Sequence, residues 1–214
     1  LLEGLRRLEY RGYDSAGVAL LNDQGDLQSS KHPGKVAVLE EALATSPVMG
    51  VTGIAHTRWA THGVPNTLNA HPHISGNRIA LVHNGIIENH QALRESLVGR
   101  GVTFASDTDT EVIVHLINAE MEAQPSLLKA VQQVLPRLEG AYALAVLDAQ
   151  TPGLLVVARA GSPLVLGVGM GESYAGSDTL ALRPVTDRFV YLEEGDTAEL
   201  TADSYTIYSH DGHA

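Results

Sequence analysis

Apolar residues recur with a helical period in four parts of the chain. Leu1, Leu5 and Leu8 follow i, i+4, i+7, and this spacing predicts a helix at the start of the sequence. Three further amphipathic stripes predict helices that begin near Val36, Thr108 and Ser126. Thr108 and Glu111 also form a T-x-x-E pattern, which predicts a capping box at the third of these four helices.

Short runs rich in apolar and β-branched residues, bounded by Gly, Pro, Asn and Asp, predict β-strands. They lie at 17–21, 51–56, 79–83, 142–147, 154–158, 164–168, 189–192 and 197–200. Residues 83–89 are interpreted as the end of a buried strand followed by the start of a helix. Strands, then a helical pair, then more strands predict an α+β fold rather than strict βαβ alternation. Without a repeat, linker or low-complexity tract, residues 1–214 are predicted to form one domain.

Charge and composition exclude several classes of protein. The formal net charge of -11 argues against nucleic-acid binding, because that affinity comes mainly from Lys and Arg side chains that neutralise phosphates. No apolar run approaches the roughly 18 residues that a membrane span needs, and no leader peptide is visible. The sequence contains no cysteine, which excludes disulfides and thiol chemistry within these residues. We expect a cytoplasmic protein.

The segment 56–63, HTRWATHG, concentrates polar side chains between two predicted buried strands. Arg58 offers a planar guanidinium that suits a carboxylate, and Trp59 could act as a lid or a hydrophobic wall. Thr61 and His62 add hydrogen-bonding groups next to a glycine. By themselves, a surface arginine and a core tryptophan would be the simpler interpretation.

Two other segments offer groups for binding and catalysis. Asn84-Gly85 is a strong turn signal, but the same pair could donate a side-chain and a backbone N–H to an oxyanion. Helix capping and the helix dipole account for Asp107 and Glu111, which leaves Asp109 as a candidate partner for an ammonium group. An arginine for a carboxylate and an aspartate for an ammonium is what binding of an α-amino acid requires.

His71-Pro72-His73 raises the question of a metal site. The sequence has no helical H-x-x-x-H pair, and no phosphate-binding glycine loop of the P-loop or dinucleotide type. Neither a metal site nor a cofactor is therefore predicted.

Several motifs taken together resemble the N-terminal glutaminase domain of the glutamine–fructose-6-phosphate aminotransferases, which are class II glutamine amidotransferases. They are RRLEYRGYDSAG at 6–17, HTRWATHG at 56–63, NAHPH at 69–73, HNGIIENH at 83–90 and SDTDTE at 106–111. LEYRGYD at 8–14 is the form typical of the hexosamine branch, whereas the related amidophosphoribosyltransferases usually differ there. The glutaminase domain of a related amidotransferase stays open as an alternative.

The resemblance implies a four-layer αββα sandwich of the N-terminal-nucleophile hydrolase type. It also implies hydrolysis of L-glutamine to L-glutamate, with ammonia passed to a sugar-phosphate isomerase domain that converts fructose 6-phosphate to glucosamine 6-phosphate. That isomerase domain is absent from these 214 residues. By motif matching, Arg58 would hold the α-carboxylate, Asp109 the α-ammonium, and Asn84 with Gly85 would form the oxyanion hole. The residues that line or support the site would be Arg11, Trp59, Thr61, His62 and His71.

The family's nucleophile is a cysteine at the mature N-terminus, whose own α-amine serves as the base. The present sequence begins at Leu1 and contains no cysteine. We therefore expect the catalytic residue and the first strand to be missing, and the chain as written to be inactive. The uncovered apolar edge is expected to lower solubility or to favour a homodimer. The alternatives from other classes are a non-catalytic amino-acid-binding module that keeps Arg58 and Asp109, and a metal-dependent hydrolase built on the histidines.

Overall fold

The computed structural model describes residues 1–210, and it places the strands in three antiparallel sheets. The first sheet has the order β2-β1-β3, from β1 (Ser15–Leu21), β2 (Leu27–Pro33) and β3 (Thr52–Arg58). The second has the order β12-β11-β7-β6-β5-β4, from β4 (His73–Ser75), β5 (Ile79–Ile87), β6 (Gly140–Asp148), β7 (Leu155–Ala160), β11 (Thr197–Leu200) and β12 (Tyr205–Tyr208). The third has the order β10-β8-β9, from β8 (Val165–Val168), β9 (Ser173–Gly176) and β10 (Phe189–Tyr191). The last four residues of the predicted domain, 211–214, lie outside the described residues.

Helices cover the outer faces of the sheets. They are α1 (Leu2–Leu8), α2 (Val36–Thr45), α3 (His90–Val98), α4 (Thr110–Ala123), α5 (Leu127–Val134) and the single-turn α6 (Thr179–Leu182). α1 and α2 pack on the first sheet, while α3, α4 and α5 pack on the six-stranded sheet. The layers therefore follow the order αββα, and the third sheet lies beside the first on the same face of the six-stranded sheet. Within the described residues, no helix is both long and apolar enough to cross a membrane.

β5 shows why the central strands are apolar throughout rather than alternating. Successive side chains of a strand point to opposite faces, and both faces of β5 are covered. Ile79 and Leu81 pack against the helices, whereas Ala80 and Val82 pack against the first sheet. The same alternation carries His83 toward α4 and Asn84 into the space between the sheets.

Residues 83–89 contain the end of a strand and the cap of a helix, as interpreted, but the predicted strand end at His83 is wrong. β5 continues through Asn84 and Gly85 to Ile87, in register with all nine residues of β6, and α3 begins only at His90. Gly85 is paired opposite Tyr142 with φ +131°, so the Asn-Gly pair lies within a ladder and not in a tight turn. Long-range pairing with β6 overrides the local turn signal.

The capping box predicted at α4 forms only in part. The Thr108 hydroxyl accepts the backbone N–H of Glu111 at 3.3 Å, as expected. The Glu111 carboxylate does not return to the backbone of Thr108, however, but accepts the backbone N–H groups of Ala105 and Ser106 at 2.8 and 2.7 Å. Glu111 thus fixes the loop that leads into α4.

Candidate functional site

A cavity of about 580 Å³ lies between the six-stranded sheet and the other two sheets. The alternation of β3 turns Ile54, His56 and Arg58 into this space, where they meet Val82 and Asn84 of β5. With the exception of His62, the predicted site residues all line the cavity: Arg11, Arg58, Trp59, Thr61, His71, Asn84, Gly85 and Asp109. The fold therefore brings together residues that are up to about a hundred positions apart in the sequence.

Arg58 is only 4% exposed, and one side of its guanidinium is already occupied. Nη2 donates to the carbonyl oxygens of His62 and Gly63, which ties the following loop to the end of β3. Nη1 lies 3.7 Å from Asp14 Oδ1 and is buried without a hydrogen-bond partner among residues 1–210. Nη1 is thus the part of the side chain left to bind an anionic group.

Asp109 lies immediately before α4 and is 3% exposed. Its Oδ2 accepts the backbone N–H of Ile87 at 2.8 Å, which connects the start of the helix to the end of β5. Its Oδ1 is 3.8 Å from Nδ1 of His62. A carboxylate held in place through one oxygen, with the other at a cavity wall, suits an ammonium group.

The loop that follows β3 carries the predicted lid. Trp59 is 62% exposed, and its ring meets the Tyr13 ring edge-on at a centroid distance of 5.7 Å. The interpretation of Trp59 as a core tryptophan is therefore wrong. His62 lies outside the cavity lining, with its ring edge-on to that of His90 at 4.8 Å.

Asn84 and Gly85 present their groups from the middle of β5. Asn84 Oδ1 lies 2.8 Å from Nε2 of His56 across the two sheets. At Gly85, a Cβ would overlap the carbonyl of Ala141 on β6, so only glycine fits here. His56 received no role in the sequence analysis, although it begins the HTRWATHG motif.

Arg11 and His71, the predicted supporting residues, both line the cavity and have different neighbours. The Arg11 guanidinium is 3.7 Å from the Asp178 carboxylate and is partly exposed. The His71 ring stacks on the His56 ring at a centroid distance of 4.2 Å, with 19° between the planes. Nδ1 of His71 accepts the backbone N–H of His83 at 3.4 Å.

Two of the buried histidines bond to hydroxyl groups of threonines at the start of α4. His83 Nδ1 lies 2.9 Å from the Thr110 hydroxyl, and His73 Nε2 lies 3.0 Å from the Thr108 hydroxyl. Within residues 1–210, no group of three or more His, Asp and Glu side chains is arranged to hold a metal ion.

Burial also decides the charge of these histidines. Removal from water lowers the pKa of His56 to about 4, and it lowers the pKa of His71 and of His83 as well. The rings are therefore neutral at pH 7, and each carries a single N–H.

Comparison with known families agrees with this geometry. Residues 56–184, more than half of the chain, match the family described as the glutamine amidotransferase domain. The chain belongs to this family. The matched residues include all of the predicted site residues that line the cavity except Arg11.

Curated relatives extend the match over nearly the whole amidotransferase domain. This chain is 59% identical over 212 residues to the glutamine–fructose-6-phosphate aminotransferase [isomerizing] of Pseudomonas syringae pv. tomato, and the match covers 99% of this chain. It is 60% identical over 210 residues to the protein of the same name from Acinetobacter baylyi, covering 98%. The chain spans about a third of the length of these relatives, 35% and 34% respectively.

A solved structure supports the fold of the amidotransferase domain. Glutamine phosphoribosylpyrophosphate amidotransferase from B. subtilis superposes with a TM-score of 0.82 at 27% identity, over 98% of this chain and 46% of that one. The four-layer αββα sandwich of the N-terminal-nucleophile hydrolase type is confirmed.

Proposed function

We propose that this chain forms part of a glutaminase domain that, in its complete form, releases ammonia from L-glutamine for the conversion of fructose 6-phosphate to glucosamine 6-phosphate. The ammonia would pass to a sugar-phosphate isomerase domain, which is not among these 214 residues. The observation that carries the proposal is the convergence of buried Arg58 and Asp109 with Asn84 in the lining of one cavity. Close identity to glutamine–fructose-6-phosphate aminotransferases supports the choice of acceptor sugar. The cytoplasmic location and the homodimer stay predictions.

Each group has a defined task in this proposal. Nη1 of Arg58 binds the α-carboxylate of glutamine, and Oδ1 of Asp109 binds the α-ammonium. A thiolate attacks the carbon of the side-chain amide, whose oxygen becomes an oxyanion held by the side-chain NH₂ of Asn84 and the backbone N–H of Gly85. The C–N bond then breaks, ammonia leaves with a proton from the base, and water hydrolyses the thioester to glutamate.

Asn84→Ala in the complete enzyme that carries this domain tests the assignment. Loss of one oxyanion donor lowers kcat by about 10²–10³-fold, and KM for glutamine should change little, because the donor acts mainly on the transition state. Asn118→Ala, on α4 and outside the cavity lining, serves as the control with unchanged kcat. An Asn84→Ala enzyme that lost only affinity would show that Asn84 contacts the ground state instead.

A polypeptide made only of these 214 residues is expected not to hydrolyse glutamine, because it contains no thiol. Glutamate release, followed by a coupled assay on a sample whose intact mass confirms Leu1 as its first residue, measures this. Hydrolysis by that sample would refute a thiol mechanism. Binding of glutamine without turnover by the complete enzyme would instead favour the non-catalytic binding module.

A further inference from the structure

We propose that His56 is a positioning residue for glutamine hydrolysis, whose ring N–H holds the Asn84 amide with its NH₂ group turned into the cavity. The inference rests on the proposed oxyanion role of Asn84 and adds a residue to it. The supporting contact is the 2.8 Å distance between Nε2 of His56 and Oδ1 of Asn84, which is within the range of a good hydrogen bond.

The contact bridges two sheets and depends on the fold rather than on local sequence. His56 lies on β3 and Asn84 on β5, and both side chains point into the space between the first sheet and the six-stranded sheet. His56 therefore reaches Asn84 from the first sheet, which faces the sheet that carries Asn84. The His71 ring, stacked on His56, restricts rotation of the imidazole, and His71 is itself held by the backbone N–H of His83.

The available hydrogen-bond partners decide whether His56 faces the oxygen or the nitrogen of the Asn84 amide. A neutral histidine has one N–H, so two arrangements can satisfy the 2.8 Å contact. Either Nε2–H donates to Oδ1 of Asn84, or the Asn84 amide is turned around and donates to an unprotonated Nε2. The second arrangement would place the only ring proton on Nδ1, which is buried and makes no hydrogen bond of good geometry within the described residues, the backbone of His83 being a weaker contact of the ring. An orphaned N–H is disfavoured, and the first arrangement follows.

The orientation of the Asn84 amide decides whether it presents a hydrogen-bond donor or an acceptor to the substrate. The terminal torsion of an asparagine side chain has no strong staggered preference, so the amide can turn unless a neighbour fixes it. Turned around, it would present a carbonyl oxygen where negative charge develops. By accepting a hydrogen bond from His56, Oδ1 stays at the protein side and the NH₂ donor stays at the substrate side.

The kinetic test uses the complete enzyme and the variant His56→Phe, which keeps a ring but removes the donor. We expect kcat to fall by about tenfold to a hundredfold, less than for removal of Asn84 itself, with KM for glutamine unchanged within about twofold. In an Asn84→Ala background the same substitution should cause no further loss, because the two residues act through one interaction. His56→Gln, whose amide can donate to Asn84, should recover part of the rate. The control is His115→Phe, a histidine of the buried network that bonds to Ser75 and Glu111 and does not line the cavity.

The outcomes separate the two proposals. If Asn84→Ala leaves kcat unchanged, the oxyanion assignment fails, and the role of His56 fails with it. If Asn84→Ala lowers kcat but His56→Phe adds its own loss in that background, or His115→Phe lowers kcat equally, only the positioning role is overturned.

A second measurement needs neither activity nor a variant. The ¹⁵N chemical shifts of the histidine ring nitrogens distinguish a protonated from an unprotonated position. In the 214-residue chain at pH 7, His56 should carry its proton on Nε2, and a proton on Nδ1 would overturn the proposal.

Discussion

At the scale of single residues, Arg58 and Asp109 divide their charged groups in the same way between protein structure and the cavity. Each is almost fully buried, and each uses part of its charged group to hold protein structure. Arg58 Nη2 binds the loop carbonyls of His62 and Gly63, and Asp109 Oδ2 binds the backbone of Ile87. The remaining polar atoms are therefore held in place before a ligand arrives, which reduces the entropy lost on binding.

Arg58→Ala is expected to weaken binding of L-glutamate to the complete enzyme by roughly 1.5–3 kcal/mol, the contribution of a hydrogen bond to a charged group. Isothermal titration calorimetry measures the change. Arg100→Ala, at an exposed position after α3, is the matched control and should bind normally. Unchanged affinity in Arg58→Ala would contradict the role proposed for its guanidinium.

The role of a single residue could be predicted from the sequence where its side chain offers a distinctive binding group. Arg58, Asn84 and Asp109 were predicted as site residues because each offers a group that an amino-acid substrate needs, and all three line the cavity. His56 was not, because its partner is determined by how two sheets stack. Only the alternation along β3 places it on the same face as Arg58.

At the scale of elements, pairing with neighbouring strands determines the existence and bounds of several strands that the local sequence does not specify. Long amphipathic helices such as α4 and apolar strands such as β6 were predicted, since their own residues specify them. β4 and β9, with three and four residues, were missed because they exist only through a neighbouring strand. The extension of β5 through Asn84-Gly85 has the same origin.

Gly85→Ala tests how tightly β5 and β6 are packed. Gly153→Ala is the matched control, because Gly153 also has a positive φ, +84°, but has no atom within 4 Å of a Cβ. The control should lose about 1 kcal/mol of unfolding free energy from backbone strain alone. Gly85→Ala should lose about 1–3 kcal/mol more, because the added Cβ overlaps the Ala141 carbonyl. Urea unfolding measures both, and equal losses would contradict the packing argument.

At the scale of the whole molecule, the αββα layers enclose a set of neutral histidines beside the site. Burial lowers the pKa of each one: His56, His71, His73 and His83. An unfolded chain binds protons at these positions below about pH 6.5, whereas the folded chain does not until a lower pH. Stability is therefore complete above pH 6.5 and is lost as the pH falls toward the folded pKa values.

We expect the unfolding free energy to decrease between pH 7 and about pH 4, the folded-state pKa of His56. Each unit of pKa difference corresponds to about 1.4 kcal/mol per histidine, an upper value for each group. Urea midpoints at several pH values measure the slope. His56→Phe removes one of the groups and should flatten the slope, and a stability independent of pH over this range would contradict neutral burial.

The bond between Arg58 and the loop carbonyls links occupancy of the site to the order of residues 59–63. A ligand that binds Nη1 without moving the guanidinium leaves the loop attached to β3, whereas a ligand that draws Nη2 away releases it. Because coupling between two equilibria is reciprocal, a ligand that favours the attached loop by some factor also binds the protein with its loop attached more tightly, by the same factor, than the protein with its loop released. Substitutions in the loop that never touch the substrate will thus alter its affinity.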